Sequence, residues 1–215
     1  FDCDRVNIDN VKLVGHWRYN TDGIDITNTS NVNIKNCFIR SFILQIIVYI
    51  CGLHDFDPMK ITLLTEGQTD KDWVKQGLDI YVSRLKHYIP FSILEIPELK
   101  GVCAITKDQI KSKEGELILK NIRPADDVIL LDEHGKEYSS MELAAIIRDK
   151  ISYSGKDIVY VIGGAYGFSE AVYKRADSKL SLSRMTFSHH MVRAIFAEQI
   201  YRAFTIIRGE PYHHE

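Results

Sequence analysis

The chain has 215 residues, 45% hydrophobic and 26% charged, with a formal net charge of −2. That is ordinary for one globular domain with an appendage, and long enough to bury a core without disulfides or a metal. The charge balance excludes a whole-chain electrostatic footprint for nucleic acid, which leaves any RNA contact to a local patch or to a surface completed by a second subunit.

The cysteines are Cys3, Cys37, Cys51 and Cys103, with no CxxC pair. This spacing fits neither a zinc site nor a disulfide framework and points to a reducing compartment. The first ten residues carry charges where a signal peptide would be apolar. Residues 42–53 are the most apolar run, interrupted by Gln45, and fall short of the roughly 20 residues a membrane span needs. The expectation is a cytoplasmic protein with no membrane and no metal.

Residues 1–58 have their own texture, and the start at Phe1 reads as a fragment edge. Val6-Asn7-Ile8-Asp9-Asn10-Val11-Lys12-Leu13 recurs as Val32-Asn33-Ile34-Lys35-Asn36-Cys37-Phe38-Ile39, with Gly23-Ile24-Asp25-Ile26 as a strand-like run between. Alternation repeated at that period suggests rungs of a parallel β-helix. With Asn20-Thr21-Asp22-Gly23, the segment resembles the polygalacturonase class of β-helix polysaccharidases, but the Asp pair expected a rung later is missing. Two rungs cannot bury a solenoid core, so residues 1–42 read as an inactive, poorly ordered piece. Residues 43–58 read as spacer, with His54-Asp55-Phe56-Asp57 a polar linker and not a metal motif.

At Met59 the texture changes. Met59-Lys60-Ile61-Thr62-Leu63-Leu64 reads as a strand. Residues 70–88 read as a helix with Trp73, Gly77, Ile80, Tyr81, Leu85 and Tyr88 on one face. A strand follows at 91–96, a charged helix at 107–120 with Ile110, Leu117 and Ile118 apolar, a strand at 127–132 and a helix at 140–150. Next come a buried strand at 157–162, a glycine cluster, a short helix at 169–175 and a strand at 179–183. A last helix at 188–207 has the stripe Val192, Ile195, Phe196, Ile200, Ala203, Phe204 and Ile207. Alternating strands and helices with apolar strands predict an α/β fold with a mostly parallel sheet covered on both faces. Ligands bind such sheets at the carboxyl ends of the strands. That edge holds Leu131, residues 163–167 and the loop after Ser183.

Single motifs carry little here. Gly163-Gly164-Ala165-Tyr166-Gly167 allows close backbone approach by a ligand but is GGxxG and not the dinucleotide GxGxxG. It equally fits a tight strand-to-helix turn. Ser169 lacks the second glycine of a nucleophile elbow and reads as a helix cap. Histidines cluster at His189-His190 and His213-His214, and the first pair lacks the same-face partners of a zinc site. For these histidines substrate contact and a helix-end or tail role both remain open.

Longer motifs are more specific. They are Leu131-Asp132-Glu133-His134-Gly135-Lys136, Val161-Ile162-Gly163-Gly164-Ala165-Tyr166-Gly167, Leu180-Ser181-Leu182-Ser183-Arg184-Met185-Thr186-Phe187-Ser188-His189, and Glu198-Gln199-Ile200-Tyr201-Arg202-Ala203-Phe204 followed by Arg208-Gly209-Glu210-Pro211-Tyr212-His213. With these, residues 59–215 resemble the ribosomal large-subunit methyltransferase H family over its whole length. One departure is Ser188, where many members carry Pro. The resemblance implies a SPOUT-type fold with a C-terminal trefoil knot, S-adenosyl-L-methionine as cofactor, and a homodimer that methylates N3 of a pseudouridine in 23S rRNA of the assembled ribosome. It implies that Leu131, Gly164, Ser183, Arg184, Met185, Thr186, Phe187 and Ser188 contact the cofactor, with Gly163 and Leu182 lining the same pocket. His189, Arg202, Tyr212 and His213 are the candidates for holding the base and favouring its anion. The competing readings are a non-catalytic RNA- or ribosome-binding module on the same fold, and a secreted glycoside hydrolase if residues 1–42 are taken at face value.

Overall fold

The structure, a computed structural model, describes residues 5–14, 31–34, 59–69, 71–99 and 105–213, the first two segments as backbone only. The Asn20–Gly23 signature, the 42–53 run and the 43–58 spacer lie outside the described residues. The chain forms two units, Phe1–Asp57 and Pro58–Glu215.

In the first unit, β1 (Arg5–Val14) pairs antiparallel with β2 (Asn31–Ile34), with a register shift between Ile8 and Val11. Stacked rungs of a β-helix pair in parallel, so this pairing gives the solenoid reading no support.

In the second unit a five-stranded, all-parallel sheet has the order β4-β3-β6-β5-β7. The strands are β3 (Ile61–Glu66), β4 (Phe91–Ile96), β5 (Asp127–Glu137), β6 (Ile158–Ile162) and β7 (Ser178–Ser181). Alternating residues serve two cores. Ile61, Leu63, Ile129, Ile158, Tyr160 and Ile162 face one, and Leu64, Val128, Leu130, Val159 and Val161 the other. Helices α1 (Asp72–Leu85), α3 (Ser140–Asp149) and α5 (His189–Arg208) pack together on the first face. Helices α2 (Lys107–Lys120) and α4 (Glu170–Arg175) cover the second. Every residue of β6 is buried, as a central parallel strand requires.

Local signals agree with these ends. Thr106 with Gln109 and Ser139 with Glu142 form capping boxes at α2 and α3. Ser169 caps α4 and Ser188 caps α5, each accepting a backbone N–H three residues on. Gly209, at φ +67, ends α5 in the left-handed conformation that glycine tolerates. Two expectations are corrected. Helix α1 buries Leu85 as expected, but leaves Trp73 63% and Ile80 50% exposed and turns Val74 and Leu78 inward instead. Helix α3 stops at Asp149 and passes into a π-turn, Lys150–Ser154, closed by Gly155 at φ +62.

Candidate active site

The carboxyl ends of β3, β5, β6 and β7 form one edge, and most of the sequence-identified residues lie there. Beyond Leu131, strand β5 makes an excursion, because Leu180 of β7 pairs with both Leu131 and Lys136. Gly135 is needed in it, since a Cβ would come 2.6 Å from the Leu180 carbonyl carbon and 2.8 Å from the Ser181 nitrogen. Asp132 anchors the excursion, accepting from the Tyr173 hydroxyl at 2.5 Å and the His134 backbone N–H at 2.8 Å. Burial opposes its charge, but these hydrogen bonds outweigh it and hold the carboxyl below its ordinary range.

After β7, the Ser181 hydroxyl donates to the Ser183 carbonyl (3.1 Å) and the Met185 N–H to the Ser183 hydroxyl (3.0 Å). Leu182 and Ser183 are half-buried, and Arg184, Met185, Thr186, Phe187 and Ser188 are exposed. Arg184 reaches Glu137 at 3.4 Å. Met185, 75% exposed, and Phe187 offer apolar surface in this loop, and Leu131 and Leu182 are half-buried. This suits a flat aromatic group held largely by backbone.

After β6, Gly163 and Gly164 are half-buried. A Cβ on Gly163 would press on the Phe168 ring at 2.9 Å. A Cβ on Gly164 would strike the Glu66 carboxylate and approach Glu114 Oε2 at 2.8 Å. Gly164 does not have positive φ; Gly167, at +76, does. The space that requires glycine at 164 is therefore filled by two acidic side chains of this chain.

Those two residues are the main addition to the site. Glu66 ends β3, and Glu114, only 6% exposed, comes up from α2. Glu66 Oε2 and Glu114 Oε2 are both buried and have no donor among the described residues. Burial, then the Glu114 charge, pushes the Glu66 carboxyl up to about 8. Burial raises Glu114 as well. Beside them Arg193, 0% exposed, donates to the Glu66 carbonyl at 2.5 Å, the Thr69 hydroxyl at 2.7 Å and the His189 carbonyl at 3.1 Å, with Glu95 at 3.5 Å. The sequence does carry a signal for Glu114, which stands between Ile110 and Ile118 at four-residue spacing on the buried face of α2.

The four candidates for base handling are not together within one chain. His189 opens α5 at the site edge and is exposed. Arg202, Tyr212 and His213 gather further along the helix, about 20 Å away at ~1.5 Å per residue. There the Arg202 guanidinium lies 4.9 Å over the Tyr212 ring and 3.4 Å from His213 Nδ1, and pairs with Glu198 at 2.5 Å. Tyr212 packs edge-on to Tyr201 at 4.9 Å and donates to Glu198 at 3.2 Å. Burial, then the Tyr81 hydroxyl, raises its phenol. The tail therefore folds on its own helix and not back to Gly164. Among the described residues no group of His, Cys, Asp and Glu could hold a metal ion, and no helix is long and apolar enough to cross a membrane.

A parallel α/β sheet with glycines, a serine-rich loop and buried carboxylates at its carboxyl edge is the arrangement in which open α/β sheets bind their ligands. A family model described as "Predicted SPOUT methyltransferase" matches residues 59–213. The chain is 53% identical over 157 residues to the ribosomal RNA large subunit methyltransferase H of Parabacteroides distasonis, covering 73% of this chain and 100% of that protein. It is 53% identical over 156 residues to the protein of that name from Christiangramia forsetii (73% and 99% covered), and 48% identical over 157 residues to that from Porphyromonas gingivalis (73% and 100%). The chain belongs to the SPOUT methyltransferase family.

Proposed function

We propose that residues 59–215 are an S-adenosyl-L-methionine-dependent methyltransferase that acts on N3 of a pseudouridine in 23S rRNA of the assembled ribosome, as a homodimer in the cytoplasm. The observation that carries this reading is 53% identity along the full length of a protein named ribosomal RNA large subunit methyltransferase H. The site residues agree with such a cofactor. Backbone at Gly163, Gly164 and residues 182–188 and the side chains of Leu131, Leu182, Met185 and Phe187 suit the adenosyl group. The buried acidic pair suits its positive charge. The reading includes the C-terminal trefoil knot that the family resemblance implies for the segment after β7.

When bound, the cofactor supplies a methyl group already activated by its sulfonium. The chain must then align the acceptor and help N3 lose its proton. His189, at the start of α5, stands at the edge where an acceptor would approach, and a neutral imidazole can take a proton. Arg202 stabilises developing negative charge, and Tyr212 offers a face for stacking on a displaced base. Since Arg202, Tyr212 and His213 lie far from His189 within one chain, the homodimer has a specific role here: the tail of one subunit completes the edge of the other. Residues 1–58 take no part.

The test is S-adenosylmethionine binding by the purified chain together with methyl transfer to ribosomes that lack the modification. Binding without transfer would favour a non-catalytic ribosome-binding module.

A further inference from the structure

Glu66 Oε2 and Glu114 Oε2 converge on the position a Gly164 side chain would take, and neither is offered a hydrogen by the described residues. Carboxylate oxygens only accept, so two of them in contact are satisfied by a shared proton or by a cation bearing N–H groups. The pair is not at a solvated rim: Glu114 is 6% exposed and its Oε2 is fully covered. Its immediate neighbour is the glycine assigned above to the cofactor. The groups that face Glu66 are Glu114 from α2, Glu98 beyond β4 and Arg193 from α5, and of these only Arg193 offsets the negative charge.

We propose that the paired carboxylates of Glu66 and Glu114, behind Gly164, are the seat of the cofactor's α-ammonium group. This rests on the reading that the cofactor is S-adenosylmethionine. An ammonium brings three donors and a positive charge to two acceptors that have neither. In the free protein one proton, shared by the pair, takes its place, consistent with a Glu66 carboxyl raised to about 8. On binding, the ammonium replaces that proton, which leaves to solvent. Occupancy of the seat is therefore coupled to release of about one proton at neutral pH.

The test uses the full chain and calorimetry with three probes: S-adenosylhomocysteine, its decarboxylated form, and methylthioadenosine, which lacks the amine. In wild type at pH 7, titrations in buffers of different ionisation enthalpy should show release of about one proton with the first two probes and none with the third. Glu114→Gln, and independently Glu66→Gln, should weaken the two amine-bearing probes by about tenfold or more, in the range of hydrogen bonds to charged groups. Methylthioadenosine should stay within about twofold, which also reports that the variants are folded. Equal weakening of all three probes, or unchanged affinity for the amine-bearing two, overturns the proposal, as does binding without proton release. Failure of wild type to bind any probe would instead count against the cofactor reading itself.

Discussion

Arg193 donates from Nη2 to the backbone carbonyl of Glu66 at 2.5 Å, which joins the N-terminal part of α5 to the end of β3. The guanidinium is wholly buried and also holds Thr69 and the His189 carbonyl. Arg193→Met should therefore destabilise the chain by about 3 kcal/mol, within the range for removing one member of a buried charged network. Arg193→Lys should recover only part of this, because an ammonium cannot reproduce the fork. Urea unfolding of the two variants against wild type is the check.

Gly164→Val should lower cofactor affinity by about 1–3 kcal/mol in a folded protein, the range for a strained or clashing site. The cause is displacement of Glu66 and Glu114, since a Cβ would already lie 2.8 Å from Glu114 Oε2. Calorimetry with S-adenosylhomocysteine, alongside circular dichroism, measures it. Wild-type affinity would remove Gly164 from the site.

The acidic pair also fixes a pH dependence. The Glu66 carboxyl is raised from 4.5 to about 8 in the folded chain, so folding is favoured by its protonated form. That stability is complete below the ordinary carboxylate value and is lost as pH climbs towards 8. Glu66→Gln removes the loss. Its urea midpoint relative to wild type should rise from pH 4.5 to 8, and a constant difference across that window would contradict the shared-proton state.

The strands and helices of residues 59–213 were largely legible because their signals are local. The residues of α2 could be read from its charge pattern with Ile110, Leu117 and Ile118 as apolar positions, and those of β6 from an unbroken apolar run. The position of Gly163, Gly164 and the 182–188 loop at the carboxyl edge of the sheet was legible, because they directly follow the apolar runs that became β6 and β7. Glu66, Glu114 and Arg193 were missed because a charged residue on a helix or at a strand end reads as solvated until its neighbours are known. The excursion of β5 depends on which strand lies beside it, and Leu180 pairing with both Leu131 and Lys136 has no local signature. The inward face of α1 was misread because Trp73 and Val74 are adjacent and hydrophobicity alone favours the larger.

Removing residues 212–215 should leave S-adenosylmethionine affinity within about twofold and reduce methylation of ribosomes by at least ~100-fold, the scale of positioned proton transfer. Tyr212 and His213 lie on Glu198, Tyr201 and Arg202, away from Gly164. Mixing this truncation with Gly164→Val should restore activity in the mixed dimers, because one edge and one tail are then intact in complementary subunits. Normal methylation by the truncated chain would show the tail to be inconsequential.

The first 58 residues should be dispensable. Truncation to Met59 is expected to leave the melting temperature and methyl transfer unchanged, since the family match begins at residue 59 and covers whole relatives. A clear loss of either would show that the extension packs on the enzyme.

Methylation of one pseudouridine in 23S rRNA by this chain is tested most directly by mass spectrometry of rRNA from a strain lacking the gene, with the full chain or residues 59–215 supplied in trans. N3-methylpseudouridine should be absent in the deletion and restored to wild-type level by either form. Persistence of the modification in the deletion strain, or failure of the full chain to restore it, would contradict the account.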